Sequence, residues 1–342
     1  MDFTLLRLLL ALAVVFTHFH AITGTSIEWV PALSATVAVQ GFFVVSGWIV
    51  TASCESSTGH GGFFVRRLAR LYPLYAVVVI AQALCVAALV GYPVNASGEL
   101  LRYLTANLAF ANFLKPTLLG FLDGAAVPAI NPSLWTLKIE VLFYLAVPLL
   151  VTLNRRFGVW ALLGLFAAST LYFCAVESTS AELAKQLPGQ LRFFVAGMAG
   201  RLLLVGDRAP QRVNGLLLAV VGIAGWLLAQ RFDSSIAMAA FQPVFVLAFV
   251  TAAGLLLPRM AGAPDISYGV YLLHAPLIQI GLYTGWLPAG SQGLLAILLV
   301  TLALATAACY VIERPAIRAG GRWSRRLSPN GYTAQRVVAS HS

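Results

Sequence analysis

Residues 294–312 read LLAILLVTLALATAACYVI and contain no charged side chain. A helix of about 20 apolar residues is long enough to cross the hydrocarbon core of a bilayer. Apolar residues follow one another here instead of alternating with polar ones. This pattern favours a helix over a strand of a membrane barrel. The stretch therefore predicts one membrane-spanning helix.

Nine further apolar stretches precede this one, so the sequence predicts an all-α integral membrane protein, a bundle of about ten transmembrane helices. The first stretch lacks the charged start and the small-residue cleavage site of a signal peptide, and we expect it to be retained as a span. In chain order the ten stretches are Leu5–Ile22, Pro31–Ser53, Tyr72–Tyr92, Leu134–Leu153, Phe157–Val176, Gln190–Val205, Val213–Gln230, Ile236–Leu257, Ile266–Trp286 and Leu294–Ile312.

The composition agrees with this class. Of 342 residues, 60% are hydrophobic and only 10% are charged, against about 25% charged in a soluble domain. A disordered chain, a coiled coil and a disulfide-stapled secreted domain are excluded. The four cysteines mostly lie in apolar runs without metal-ligand spacing, so we expect neither a disulfide framework nor a metal site.

Basic residues predict the orientation, because the loops that carry them stay on the cytoplasmic side. Most of the 22 Lys and Arg residues fall on one side of the predicted bundle, which also holds both termini. That side carries Arg66, Arg67, Arg70, Arg155, Arg156, Arg208, Arg212, Arg259, Arg314, Arg318, Arg322, Arg325, Arg326 and Arg336; the other carries Arg102, Lys115, Lys185 and Arg231. Both termini are therefore predicted to be cytoplasmic. An even number of spans agrees, because it places both termini on the same side of the membrane.

We expect one transmembrane domain over residues 1–315 and a basic cytoplasmic tail over residues 316–342. The tail is rich in arginine and turn residues, so we predict that it is disordered or lies on the membrane surface. The longest loop, Pro93–Ser133, lies on the outer side and contains the amphipathic segment Leu100–Leu114, which either rests in the interface or re-enters the membrane.

Ionisable residues inside spans point to function, because each costs about 2.5–3.5 kcal/mol at mid-membrane. Arg7 and His18 are eleven residues apart, which places them on one helix face about 16 Å apart in rise. A histidine of near-neutral pKa is a common general base for an alcohol. The alternative is a structural histidine with a snorkelling arginine. His20 lies about 200° from His18 and is the lesser candidate.

Two more segments place polar groups on one helix face. Glu140 and Tyr144, in SLWTLKIEVLFY at 133–144, are four residues apart. Arg7 or His18 would be natural partners of the Glu140 carboxylate. The alternative is an ion pair that only holds helices together. Ser267, Tyr271 and His274 follow i, i+4 and i+7, and here the alternative is an aromatic belt with a satisfied histidine.

Arg66, Arg67 and Arg70 precede Pro73, which we expect to open the third span. Guanidinium groups suit the phosphates of a nucleotide, so the cluster could clamp a diphosphate at the cytoplasmic face. The alternative is a topology signal that needs no ligand. The stretch GFFVVSG at 41–47 is typical of closely packed helices.

Together these segments resemble the acyltransferase-3 family of integral membrane acyltransferases, in family order and over nearly the whole chain. The matching pieces are Arg7 with His18, Phe42–Gly47, Arg66–Pro73, Ser133–Tyr144, Ser267–His274 and Glu313–Pro315.

The resemblance implies ten spans and transfer of an acyl group, commonly acetyl, from cytoplasmic acyl-coenzyme A to a hydroxyl. Acceptors in the family include surface polysaccharides, lipid-linked sugars, peptidoglycan and macrolide-type small molecules. It places His18 on the catalytic histidine, Arg7 on an essential arginine, and Arg66, Arg67 and Arg70 beside the donor. Many members carry an acidic residue where this chain has Gln40, so either Glu140 serves alone here or the role of that carboxylate is absent.

The sequence therefore predicts a bacterial inner-membrane O-acyltransferase that uses acetyl-CoA, without a metal, to acylate a sugar hydroxyl of a surface polysaccharide or lipid-linked precursor. His18, Arg7 and Glu140 are its catalytic candidates; the supporting candidates are Trp135, Tyr144, Ser267, Tyr271 and His274. We expect lipid, donor and glycan as partners and no nucleic acid, and leave a homodimer open. The rival interpretation is a proton-coupled transporter or flippase of lipid-linked sugars.

Overall fold

The computed structural model describes residues 1–25, 34–57, 59–92, 96–204, 211–232, 234–260 and 262–327. Pro31, Pro93, Val205, Arg208 and Arg336, which the predictions above used, lie outside these ranges.

Helices account for all the regular structure in the described ranges, which confirms the all-α prediction. Each of the ten apolar stretches contains a helix within its described residues. The α-helices are α1 (Thr4–Thr23), α2 (Ala35–Glu55), α3 (His60–Val90), α4 (Ser97–Leu108), α5 (Leu134–Phe157), α6 (Val159–Glu177), α7 (Ala181–Ala184), α8 (Leu187–Leu204), α9 (Gln211–Arg231), α10 (Ser235–Leu256), α11 (Ser267–Tyr283), α12 (Gly290–Ala308) and α13 (Arg314–Arg326).

Seven helices among the described residues are long and apolar enough to cross a membrane, so the chain is a multi-pass membrane protein. They are α1, α2, α3, α5, α6, α10 and the continuous helix Gly290–Arg326, in which a π-helical turn, Cys309–Glu313, joins α12 to α13. The other three predicted spans correspond to α8, α9 and α11. Of these, α11 is 17 residues long and α8 contains Arg192 and Arg201, which lowers its hydropathy. The count of ten spans stays a prediction.

Two boundaries differ from the sequence prediction. Helix α3 begins at His60, so Pro73 lies within the helix and does not open it. Residues 316–326 are helical and not disordered, because α13 packs against α3: a Cβ added at Gly320 would lie 2.3 Å from the Ala69 Cβ. Residues 328–342, the rest of the predicted tail, lie outside the described residues.

The chain divides into two compact units. The first comprises Met1–Leu10, Thr36–Ser57 and Ile139–Ala261, and the second comprises Ala11–Ala35, Thr58–Lys138 and Gly262–Ser342. The first residues of α1 thus belong to the first unit and the remainder to the second.

Glycines bring α2 and α8 together in the first unit. A Cβ at Gly47 would lie 2.1 Å from the Phe194 carbonyl oxygen, and one at Gly197 would lie 2.0 Å from the Val44 carbonyl oxygen. The backbones can approach this closely only without side chains at both positions, which confirms the packing role predicted for the GFFVVSG stretch. Phe194 also stacks on Phe43 and Phe143, with ring centroids 4.7 and 3.9 Å apart.

In the second unit, the long loop after α3 is packed and not free. The loop packs against the end of α3 around a cluster of buried side chains, which comprises Ala83, Val86, Tyr103, Leu118, Phe121 and Ile130. The predicted amphipathic segment forms α4 and a short 3₁₀ turn, Asn112–Leu114, and the Tyr75 hydroxyl of α3 donates a hydrogen bond of 2.6 Å to the Asn107 carbonyl. The loop thereby holds the chain that leads into α5.

Candidate active site

Two histidines from distant parts of the sequence meet in the second unit. His18 Nδ1 on α1 lies 2.9 Å from His274 Nε2 on α11, and the ring centroids are 5.1 Å apart. His274 is fully buried, whereas His18 is only partly buried. The pair therefore combines a fully enclosed inner ring with an outer ring that is less enclosed.

The hydrogen bonds assign the protons of both rings. His274 Nδ1 lies 3.0 Å from the Val270 carbonyl oxygen, which can only accept, so Nδ1 carries a proton. In a neutral ring His274 Nε2 is then an acceptor, and His18 Nδ1 must donate to it. This leaves the lone pair of His18 on Nε2, the atom a general base needs.

A polar layer holds His274 in place. The Ser133 hydroxyl, just before α5, lies 3.5 Å from His274 Nε2. The Tyr271 hydroxyl, one turn before His274, contacts the Thr136 hydroxyl at 2.7 Å and donates to the Ser133 carbonyl at 3.3 Å. The start of α5 and the middle of α11 are thus joined on both sides of the inner ring.

Because of Pro276, a carbonyl of α11 can accept a hydrogen bond from the loop before α5. A proline has no N–H, so the Leu272 carbonyl loses its usual helical donor. The Asn131 side-chain amide replaces it at 2.9 Å, and Asn131 is linked through Gln82 to the buried Tyr103 hydroxyl. The loop before α5 is therefore fixed to α11 beside the histidines by a helix irregularity that the sequence encodes.

His20, the lesser candidate, is engaged elsewhere. Its Nδ1 lies 2.6 Å from the Thr25 carbonyl oxygen, so the ring donates to the chain that leaves α1. The contact anchors the end of the helix and agrees with the predicted separation of the two histidine faces.

Glu140 and Arg7 lie in the first unit. Glu140 accepts hydrogen bonds from the Tyr144 hydroxyl one turn away and from the Ser46 hydroxyl of α2 at 3.2 Å. The carboxylate predicted in α5 thus meets the serine of the GFFVVSG stretch. Gln40 on the same helix accepts from the Gln242 amide at 3.0 Å. Trp135 lies half-buried in the first turn of α5, in the second unit.

The basic cluster of α3 has two different environments. Arg70 pairs with Asp265 at 2.9 Å and with the buried Glu313, so two carboxylates compensate its charge. Arg66 donates to the Ser324 hydroxyl of α13 at 2.7 Å. Ser267 belongs with this group and not with His274, because its hydroxyl donates to Asp265 at 2.6 Å.

Asp265, Glu313 and Asn131 are among the residues of these networks that sequence reasoning did not assign. Asp265 stands two residues before Ser267, and an acid there is a recognisable helix-start signal. Glu313 opens the Glu313–Pro315 segment that had been matched without a role. Asn131 gave no signal of its own, because its function depends on the proline of another helix.

Comparisons with known proteins agree on one class. A family model described as an acyltransferase domain matches residues 2–314. The chain is 27% identical to Nodulation protein 10 of Rhizobium leguminosarum bv. viciae, over 93% of both chains. It is 25% identical to Acyltransferase MdmB of Streptomyces mycarofaciens, covering 87% of this chain and 85% of that one.

The Exopolysaccharide production protein ExoZ of Rhizobium meliloti (strain 1021) is 29% identical, over 88% of this chain and 95% of its own. No solved structure matches. The similarity to all three relatives extends across both units.

Proposed function

The chain belongs to the acyltransferase-3 family and is an acyltransferase, and from this premise we propose that it transfers an acetyl group from acetyl-coenzyme A to a sugar hydroxyl of a surface polysaccharide or of its lipid-linked precursor. The observation that carries the proposal is the hydrogen-bonded chain from the Val270 carbonyl through His274 to His18. It supports a base whose lone pair is on Nε2 of His18.

In the proposed reaction, His18 Nε2 removes the proton of the acceptor hydroxyl as the hydroxyl oxygen attacks the thioester carbonyl. The carbon–sulfur bond then breaks, and the departing thiolate takes the proton from His18. His274 acts as a positioning residue: its Nε2 accepts from His18 Nδ1 throughout and stabilises the positive charge that His18 gains. A covalent acyl–histidine route uses the same nitrogen as nucleophile.

The roles of Arg7 and Glu140 rest on the sequence resemblance. On that resemblance, the developing oxyanion would be stabilised by Arg7 or by a helix N–H donor, since such groups stabilise negative charge most strongly where water is excluded. Glu140 orients its neighbours through the hydrogen bonds from Tyr144 and Ser46.

For the donor phosphates we propose Arg66 and Arg67 as the main contacts. Arg70, already paired with Asp265 and Glu313, would add its charge while it holds α3 against the start of α11. The donor would approach from the cytoplasmic side that the distribution of basic residues predicts.

The acceptor class is supported by one relative, since ExoZ is an exopolysaccharide production protein. A gene deletion with mass spectrometry of surface glycans tests it: we expect the loss of an acetyl-sized mass from one glycan, restored by the wild-type gene. Unchanged glycans, with transfer still measurable to another hydroxyl compound, would refute the polysaccharide acceptor.

A further inference from the structure

A cavity of about 520 Å³ lies between α3 and α13 in the second unit. Its walls are mostly apolar, and its α3 lining ends at Tyr72 and Pro73. The opposite wall is formed by Ala316, Ala319, Gly320 and Trp323 of α13, with Arg322 and Arg326 at its border. The cavity is large enough for a ligand of the size of a lipid headgroup with part of its chain.

A second cavity, of about 450 Å³, lies along the next part of α3, between this helix, α11 and the end of α12. Its α3 lining begins at Leu74, directly after Pro73, and continues to Cys85, while residues of α11 and Leu304 to Ile312 form the other walls. The eleven residue steps from Leu74 to Cys85 rise about 16 Å, close to half of the hydrocarbon core of a bilayer. This second cavity therefore has the length and the apolar lining that an acyl chain requires.

Basic residues line the first cavity but not the second. Arg322 and Arg326 are one turn apart and exposed, and within the described ranges neither pairs with a carboxylate. Trp323 between them is 64% exposed, as is typical of an indole at the level of the headgroups. Gly320 and Ser324 face α3, so the helix turns its packed face inward and leaves the arginines on the outer side.

We propose that the two cavities together hold one anionic phospholipid, with its phosphate on Arg322 and Arg326 and one acyl chain along Leu74–Cys85. Guanidinium groups bind phosphate oxygens in a bidentate manner, and each basic residue near a membrane surface favours anionic lipid. An acyl-CoA suits the cavities less well, because its polar pantetheine and ribose would face an apolar wall beyond Pro73. The bound lipid would hold α13 on α3 beside the contact between Arg66 and Ser324.

Lipid binding to the purified full chain tests this proposal, with native mass spectrometry in detergent against phosphatidylglycerol and phosphatidylcholine. The double variant Arg322→Gln/Arg326→Gln should weaken phosphatidylglycerol binding on the order of 30-fold, from the charge of two arginines. The matched control is Arg155→Gln/Arg156→Gln, which removes the same charge from the exposed end of α5 and should leave binding nearly unchanged.

The chain cavity has its own test. Ala81→Phe fills the second cavity from the exposed side of α3 and should reduce binding of both lipids, with the arginines left intact. Leu84→Phe is its control, since Leu84 is exposed on the same helix and does not line the cavity. Thermal unfolding of each variant before lipid addition verifies the fold.

The proposal would be overturned if the two double variants bound phosphatidylglycerol equally, or if Ala81→Phe bound lipid like the wild type. It would also be overturned if a variant of either cavity lost acyl-CoA binding while it retained phosphatidylglycerol binding. This last result would reassign the cavities to the donor. Because lipid binding is measured without acyl transfer, this inference and the proposed function fail separately.

Discussion

Replacing His274 separates a positioning role from simple packing. His274→Phe keeps a ring of similar size in the fully buried site but removes both hydrogen bonds, the one from Nδ1 to Val270 and the one between Nε2 and His18. Nothing then selects the His18 tautomer with its proton on Nδ1. His274→Gln offers an amide oxygen that can still accept from His18 Nδ1, and should preserve that tautomer.

The two variants should differ in magnitude. Loss of one ordinary hydrogen bond costs about 0.5–1.5 kcal/mol, or roughly 2- to 13-fold in rate, and this bounds the effect of His274→Gln. Without the contact to His274 Nε2, His18 can carry its proton on either ring nitrogen, so His274→Phe should lose more activity than His274→Gln, up to the general-base contribution of about 10²–10⁴-fold. The loss should appear in kcat, while the KM for acetyl-CoA stays near the wild-type value.

The assay is acetyl transfer from labelled donor in membranes, normalised to folded protein by size-exclusion chromatography. Tyr271→Phe is the control, because it removes a hydroxyl that contacts Thr136 and Ser133 but not His18. Equal activity of His274→Phe and His274→Gln, or a loss confined to folded yield, would refute the positioning role.

Three other changes test separate parts of the account. Arg66→Gln/Arg67→Gln should raise the KM for acetyl-CoA at least about tenfold, since each charge-assisted bond contributes about 1.5–3 kcal/mol. Correct membrane insertion is verified first with reporter fusions at Ser57 and Ala125. Unchanged donor kinetics in a correctly inserted protein would exclude the phosphate clamp. Glu313→Gln should lower thermal stability in detergent by up to about 3 kcal/mol, because it leaves Arg70 with one carboxylate; a variant as stable as the wild type would show that Asp265 suffices. Gly197→Ala should destabilise by about 1–3 kcal/mol, because its Cβ would meet the Val44 carbonyl at 2.0 Å, whereas Gly164→Ala on α6 meets nothing within 4 Å and should be neutral or stabilising; equal stability of the two would contradict the close packing of α2 and α8.

The helices could be predicted from the sequence because a bilayer imposes one simple requirement, a long uninterrupted apolar run. Each apolar stretch contains a helix within its described residues, and α1 differs from its predicted range by one residue at each end. The start of α3 could not be placed, because His60–Leu71 is too basic to resemble a span and its helix is stabilised by packing against α13.

The candidate site was partly predictable. His18 and His274 were each singled out, since a polar ring in a span is costly. Their contact was not foreseen, because they are 256 residues apart and no periodicity links α1 to α11. The pairing of Arg70 with Asp265 and Glu313 was hidden for the same reason.

Arg192 shows another limit of sequence reasoning. It lies near the start of the predicted span Gln190–Val205, and its side chain is fully buried, with its guanidinium 3.5 Å from the Phe173 ring centroid. A cation held against an aromatic face is stabilised by a tertiary contact, which spacing along one helix does not reveal.

The central claim is that His18 is the base of the transfer, and the paired variants His18→Ala and His20→Ala test it most directly. Both remove an imidazole from α1, but only His18 contacts His274, whereas His20 donates to the Thr25 carbonyl at the helix end. Measured as labelled acetyl transfer per folded protein, His18→Ala should lose about 10²–10⁴-fold and His20→Ala far less. Full activity in His18→Ala, or a greater loss in His20→Ala at equal folded yield, would contradict the account.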